Sequence, residues 1–262
     1  MSLERRDLVH RLFWESNVPT KILPAASWSK HTPDVELPSG QWTYGHEAKV
    51  CFAMTDFLCR DVGAEYDYNE NFEEPPGDLS KVIIGSGASN REAATYIGTP
   101  EQPIFRTSSC KLHYGIARGG ESLRRRQYGE VIERRSHTIC DSRSRAVHNP
   151  GSDKSIQLDD YLLVTRVPGE VEGSSVTIFA GLHGPGTRSA ELLFSQDAIA
   201  IEDLRTLANI IRLKDHRIPY FQAVFRAKHF VNFPTANQTD SDVASALELV
   251  IKGSPPVKLD VG

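Results

Sequence analysis

The chain has no run of about 18 apolar residues, so no membrane-crossing helix is expected in it. It also has no excess of positive charge. Its 30 Lys and Arg stand against 34 Asp and Glu, for a formal net charge of -4. The whole-protein basic field of a nucleic-acid binder is therefore missing. Cysteine is scarce. Cys51, Cys59, Cys110 and Cys140 include no Cys-x-x-Cys pair of the kind used for zinc or redox work. Four in 262 residues are too few for a disulfide scaffold. Cys51 and Cys59 read as small buried apolar groups on a helix. The opening residues hold no apolar stretch of an export signal, so reduced thiols and a cytoplasmic location are expected. There is no G-x-G-x-x-G fingerprint, no Walker A loop and no G-x-S-x-G elbow.

What is present is an ordinary globular balance, 39% hydrophobic and 24% charged. One α/β domain over residues 1–262 is expected, long enough for a sizeable core. Apolar spacing predicts helices at 3–15, 46–60, 90–97, 187–194 and 201–211. Short strands are predicted at 21–25, 64–68, 81–84, 160–166, 175–181, 220–231 and 246–251. The eight residues between Arg166 and Ser175 suit a hairpin, so that pair is expected antiparallel. Residues 27–40 and 69–78 read as loops. Residues 101–150 read as an irregular, Arg-rich insertion, with a hairpin as the alternative, covering one edge of the sheet. Residues 253–262 read as a flexible tail. Strands alternating with helices predict a Rossmann-like α/β fold, with a mostly parallel sheet, helices on both faces and a mixed edge.

Two junctions carry the functional signal. In each, an apolar strand runs into glycines and a helix starts behind. The first is Gly85-Ser86-Gly87 with Asn90 and Arg91 after it. The second is Gly181, Gly184 and Gly186 with Thr187 after it. Glycine lets backbone come close to a ligand, and a helix start offers unpaired N–H groups. Together they suit a phosphate or carboxylate, at the strand ends where open α/β sheets bind ligands. The plainer alternative is that the glycines only make tight turns.

The second junction resembles a known loop. Gly184-Pro185-Gly186-Thr187 followed by Glu191 is similar to the Pro-Gly-Gly-x-Gly-Thr-x-x-Glu loop of lysine-decarboxylase-like nucleotide-binding proteins. It departs from that loop in two ways: His183 stands at a glycine position, and Glu191 follows Thr187 by four residues instead of three. Residues 160–168 with 180–187 also resemble uncharacterised bacterial Rossmann-like domains. The resemblance implies a Rossmann-like fold and adds little on chemistry.

Single residues add candidates. His183, inside the second turn, offers an acid, a base or a ligand contact, or simply packs the turn. Thr187 either caps its helix or touches a phosphate. Asn90 either caps or orients a ribose, and Arg91 either pairs with an anion or faces solvent. Glu47 opens a helix, where a carboxylate favours the dipole; it or Glu191 would also suit N-glycosidic cleavage. His46, His183 and Asp160 lack metal-site spacing, so no metal is expected. Residues 118–145 hold eight arginines against four acids, a solvated or partner-contacting stretch more than a nucleic-acid site. The expected function is binding or sensing of a nucleotide-like small molecule, within a larger signalling protein or a homo-oligomer. The alternatives are an N-glycosidic-bond-cleaving enzyme and an interaction module using the Arg-rich stretch. No cofactor is indicated.

Overall fold

The computed structural model describes residues 2–15, 18, 20–24, 35–36, 42–43, 45–58, 67–68, 79–127, 130–149, 152–153, 156–157, 160–195, 199–214, 217–228 and 246–261. The expected loop at 69–78, most of the one at 27–40, Cys59, the side chain of His46 and most of the 64–68 strand fall outside these residues; within 27–40, Val35–Glu36 pairs antiparallel with Trp42–Thr43.

An eight-stranded mixed sheet forms the centre. In chain order its main strands are β1 (Thr20–Pro24), β2 (Asp67–Tyr68), β3 (Ser80–Ile84), β6 (Asp160–Pro168), β7 (Ser175–Gly181), β8 (Phe221–Lys228), β9 (Ala246–Leu249) and β10 (Val257–Lys258). Strands β4 (Tyr114–Gln127) and β5 (Glu130–Asp141) belong to a second sheet. The order across the central sheet is β9-β8-β6-β7-β3-β1-β2, with β10 also on β8. Strands β2, β1, β3 and β7 run parallel. Strand β6 is antiparallel to β7 and β8, and β8 to β9 and β10. The expected antiparallel link between residues 160–166 and 175–181 is therefore present. The expectation of a mostly parallel sheet holds for one half only, because β6 lies between β7 and β8 in the opposite direction and β9 and β10 join β8 antiparallel.

The two faces are covered differently. Helices α1 (Leu3–Phe13), α2 (Gly45–Asp56), α5 (Glu191–Phe194) and α6 (Ile201–Ile210) pack on one face. Phe13 sits at the centre of that core, with ring centroids 6.0 Å from Phe179 and 6.2 Å from Phe221. The other face takes α3 (Arg91–Ile97) and the base of the β4–β5 hairpin, through Tyr114, Ile116 and Ile139. Strand alternation explains the division: Ile22, Val82 and Ile84 face the first core, Leu23 and Ile83 the second. Between α1-side residues 184 and 194, the predicted single helix is two short ones, α4 (Gly184–Arg188) and α5.

Two further expectations are corrected. Of the two readings of the Arg-rich stretch the hairpin is the one present, with β4 and β5 antiparallel along their length and one register irregularity between Arg118 and Ser122. Its base lies on a face of the sheet and not along an edge, because Gln222 of β8 accepts from the backbone N–H groups of His113 and Tyr114 and donates to the Tyr114 carbonyl. The tail is docked and not frayed. Val257 and Lys258 pair with β8, and Leu259 and Ser254 are buried.

Arg166, wholly buried in β6, ties α1 to the sheet. Its guanidinium donates to the carbonyls of Arg11, Leu12 and Glu15 and to Ser175 Oγ. The Arg11 and Leu12 carbonyls are among the last of α1, which have no partner inside the helix, and that of Glu15 lies just beyond its end. Burial pushes the guanidinium down to about 10, so it stays charged at neutral pH. Arg166→Ala would strand buried acceptors and is expected to cost about 3 kcal/mol in urea unfolding. Arg166→Lys should restore only part, since an ammonium lacks the planar fork. A loss below about 1 kcal/mol for the alanine variant would contradict this tie.

Candidate functional site

The parallel register brings both glycine turns to one edge of the sheet. Pro24 lies level with Ile84, and Ile84 level with Phe179. The Gly85 N–H donates to the Phe179 carbonyl at 3.0 Å, joining the first turn to the strand that carries the second. The chain passes from β1 to β2 on one side and places β3 on the other. The carboxyl ends of β1 and β3 therefore mark a point where strand order reverses, the place where open α/β sheets have their ligand crevice.

At that point stands Glu47, in the first turn of α2 and fully buried. Its carboxylate accepts from Ser89 Oγ at 3.3 Å. Gly85 has φ of +111°, and a Cβ there would meet Glu47 Oε1 at 2.8 Å. The positive φ is what calls for glycine, and the carboxylate lies in the space a side chain would take. Gly87 has another reason to be glycine: a Cβ would lie 1.9 Å from the Gly98 carbonyl oxygen, so it permits close backbone packing. Ser86 is buried, and its Oγ accepts from the Ala88 N–H at 3.4 Å. Asn90 is committed to the fold. Its amide donates to the Leu23 and Ile84 carbonyls and accepts from the N–H groups of Glu92 and Ala93. It thus caps α3 and pins it to the ends of β1 and β3, which leaves nothing for a ribose. Arg91 is exposed at the start of α3.

The second turn is built around an anion of its own. Asp160, at the start of β6, is fully buried. Its carboxylate accepts from the N–H groups of Tyr161 at 2.9 Å, His183 at 3.1 Å and Gly186 at 2.9 Å. A Cβ on Gly186 would lie 2.5 Å from the Tyr161 carbonyl oxygen and 2.9 Å from the carboxylate. Thr187 turns its hydroxyl inward, accepting from the Gly181 N–H at 3.2 Å. A Cβ on Gly181 would lie 1.9 Å from the Thr187 nitrogen. Gly184 opens α4 and is half-buried. Sequence reasoning assigned these N–H groups to a ligand's phosphate. In the structure the donors of His183 and Gly186 are taken by Asp160.

His183 lies over this carboxylate, with Nδ1 3.4 Å from Asp160 Oδ1. Its ring stacks on His137 of β5, centroids 5.4 Å apart and planes 7° from parallel. The His137 backbone N–H donates to His183 Nε2 at 3.4 Å, and its Nδ1 is 2.8 Å from the Leu182 carbonyl. Spacing concealed the Asp160–His183 pair, since 23 residues separate the two. No sequence signal marked His137. Glu191 belongs to neither cluster; it pairs with Arg188 at 3.4 Å. Among the described residues, no group of three or more His, Cys, Asp or Glu is placed to hold a metal. Cys51 is buried on α2, as a small apolar group would be. No helix of the described residues is long and apolar enough to cross a membrane.

No protein-family model, curated protein or solved structure matches the chain.

The second turn yields a stability prediction. Asp160→Asn puts an amide donor against backbone donors and should cost about 2 kcal/mol in urea unfolding. Gly186→Ala should cost at least about 2 kcal/mol, since the Tyr161 carbonyl belongs to a central strand and has little room to move. Wild-type stability in both variants would contradict the account of this turn.

Proposed function

We propose that the chain binds a nucleotide-like small molecule at the first glycine turn, on a Rossmann-like α/β scaffold, as a binding or sensing module. One observation carries this reading: a fully buried carboxylate, Glu47, lies against Gly85 where strand order reverses. Ligands of open α/β sheets enter such crevices. A buried carboxylate there selects hydrogen-bond donors, and the hydroxyls of a ribose supply them. An anionic end of the ligand then extends toward the exposed Ala88, Ser89 and Arg91. The second turn plays no direct part, because Asp160 holds its donors.

The same carboxylate supports a second reading, cleavage of an N-glycosidic bond with Glu47 attacking or stabilising the sugar carbon. The chemistry would fall on Glu47, since Glu191 is paired with Arg188 and His183 is engaged by Asp160 and His137.

A panel of NAD, ADP-ribose, cyclic nucleotides and nucleoside monophosphates tests the proposal by thermal shift. At least one member should raise the Tm. Glu47→Gln, which keeps an acceptor for Ser89, should abolish that rise, and Arg91→Ala should reduce it, since every member of the panel carries phosphate. No rise with any member, or an undiminished rise in Glu47→Gln, overturns the proposal. Base released during incubation would favour the enzyme reading, and its absence leaves binding alone.

A further inference from the structure

We propose that the stacked His137–His183 pair is a pH-sensitive latch that holds the arginine-rich hairpin against the second glycine turn. The argument starts from proton positions. The Leu182 carbonyl accepts at His137 Nδ1, so that nitrogen carries a proton. The backbone N–H of His137 points at His183 Nε2, so that nitrogen must be bare, and the His183 proton sits on Nδ1 toward Asp160. His137 keeps its Nδ1–H for the Leu182 carbonyl in either state, but the bond from its backbone N–H is complete only while His183 Nε2 is bare. A proton added at His183 Nε2 would set one N–H against another. Protonating both rings would stack two cations at 5.4 Å.

The position of the pair gives the contact leverage. His137 is registered opposite Arg118, at the edge of the irregularity between Arg118 and Ser122. Such irregularities bend a strand pair locally. Below it the hairpin is fixed to the sheet by Gln222, and above it runs the arginine-rich arm. Of the hairpin's hydrogen bonds among the described residues, the two of His137 reach the second turn.

The charged groups facing the pair are Asp160 of β6 and Glu101 from the turn after α3, the latter ion-paired to Arg118 of β4. Burial pushes His137 below the ordinary histidine value of 6.5. The Leu182 carbonyl, Asp160 and Glu101 oppose that shift, and the His183 ring reinforces it. A latched His137 thus takes a proton less readily than a released one. The latch is fully formed above the ordinary value and weakens as pH falls below it.

Hydrogen exchange of the full chain between pH 7.5 and 5.5, corrected for intrinsic rates, tests this. Peptides spanning β5 should lose protection as pH falls, by up to about tenfold per pH unit for one extra proton. Peptides from β7 serve as the reference within the central sheet. His183→Gln offers a non-titrating acceptor to the His137 N–H, and His137→Phe keeps the stack without the titration. Each should reduce the dependence, since each removes one of the two rings, while His10, His113 and His148 are left in place. A flat profile in wild type, or a full dependence retained in both variants, overturns the latch.

Discussion

A carboxylate buried away from water must be met by donors, and Asp160 is met by three backbone N–H groups. Two of them belong to a glycine turn that would otherwise offer its donors to a ligand. That demand organises much of the neighbourhood. It requires glycine at position 186, draws the turn down onto β6, and sets His183 above the carboxylate where it can stack on His137. The same demand distinguishes two turns that look alike in sequence. One is closed on an internal anion. The other, level with it on the neighbouring strand, has a buried glutamate at its base and an exposed rim.

The scaffold keeps these turns in register. Parallel pairing of β1, β3 and β7 brings three carboxyl ends to one edge. Asn90 spends its whole amide on holding α3 to two of those ends. On the opposite side of the sheet's arrangement, Arg166 does the comparable task for α1, satisfying carbonyls that the helix cannot. Two buried polar residues in one strand, Asp160 and Arg166, therefore tie separate layers to β6. Polar groups so enclosed specify a unique arrangement when every partner is present.

Much of the layout was legible from local pattern. Apolar periodicity located α1, α2 and α6, and the hairpin-length link marked β6 and β7 as antiparallel. The strand-glycine-helix junctions were visible for the same reason. What escaped were interactions across long separations. Asp160, the second of two adjacent acids, heads an apolar run, which was the available clue to its burial, but the turn it fills begins 23 residues later. Arg166 within the same run was a similar clue. Gly87 looked like a ligand glycine, although its freedom serves the approach of Gly98. The tail read as frayed because its Pro255-Pro256 pair suggests a linker, yet Leu259 beyond it is buried in the second core.

We propose that, of the two similar turns on one sheet edge, only the first takes a ligand. Backbone amide NMR during titration with ADP-ribose tests it most directly. The account predicts that the largest shifts fall on residues 85–91 and on the first turn of α2, with the amides of His183 and Gly186 nearly unmoved. Largest shifts at His183 and Gly186 would contradict it, because a ligand would then be displacing Asp160 from the donors it holds.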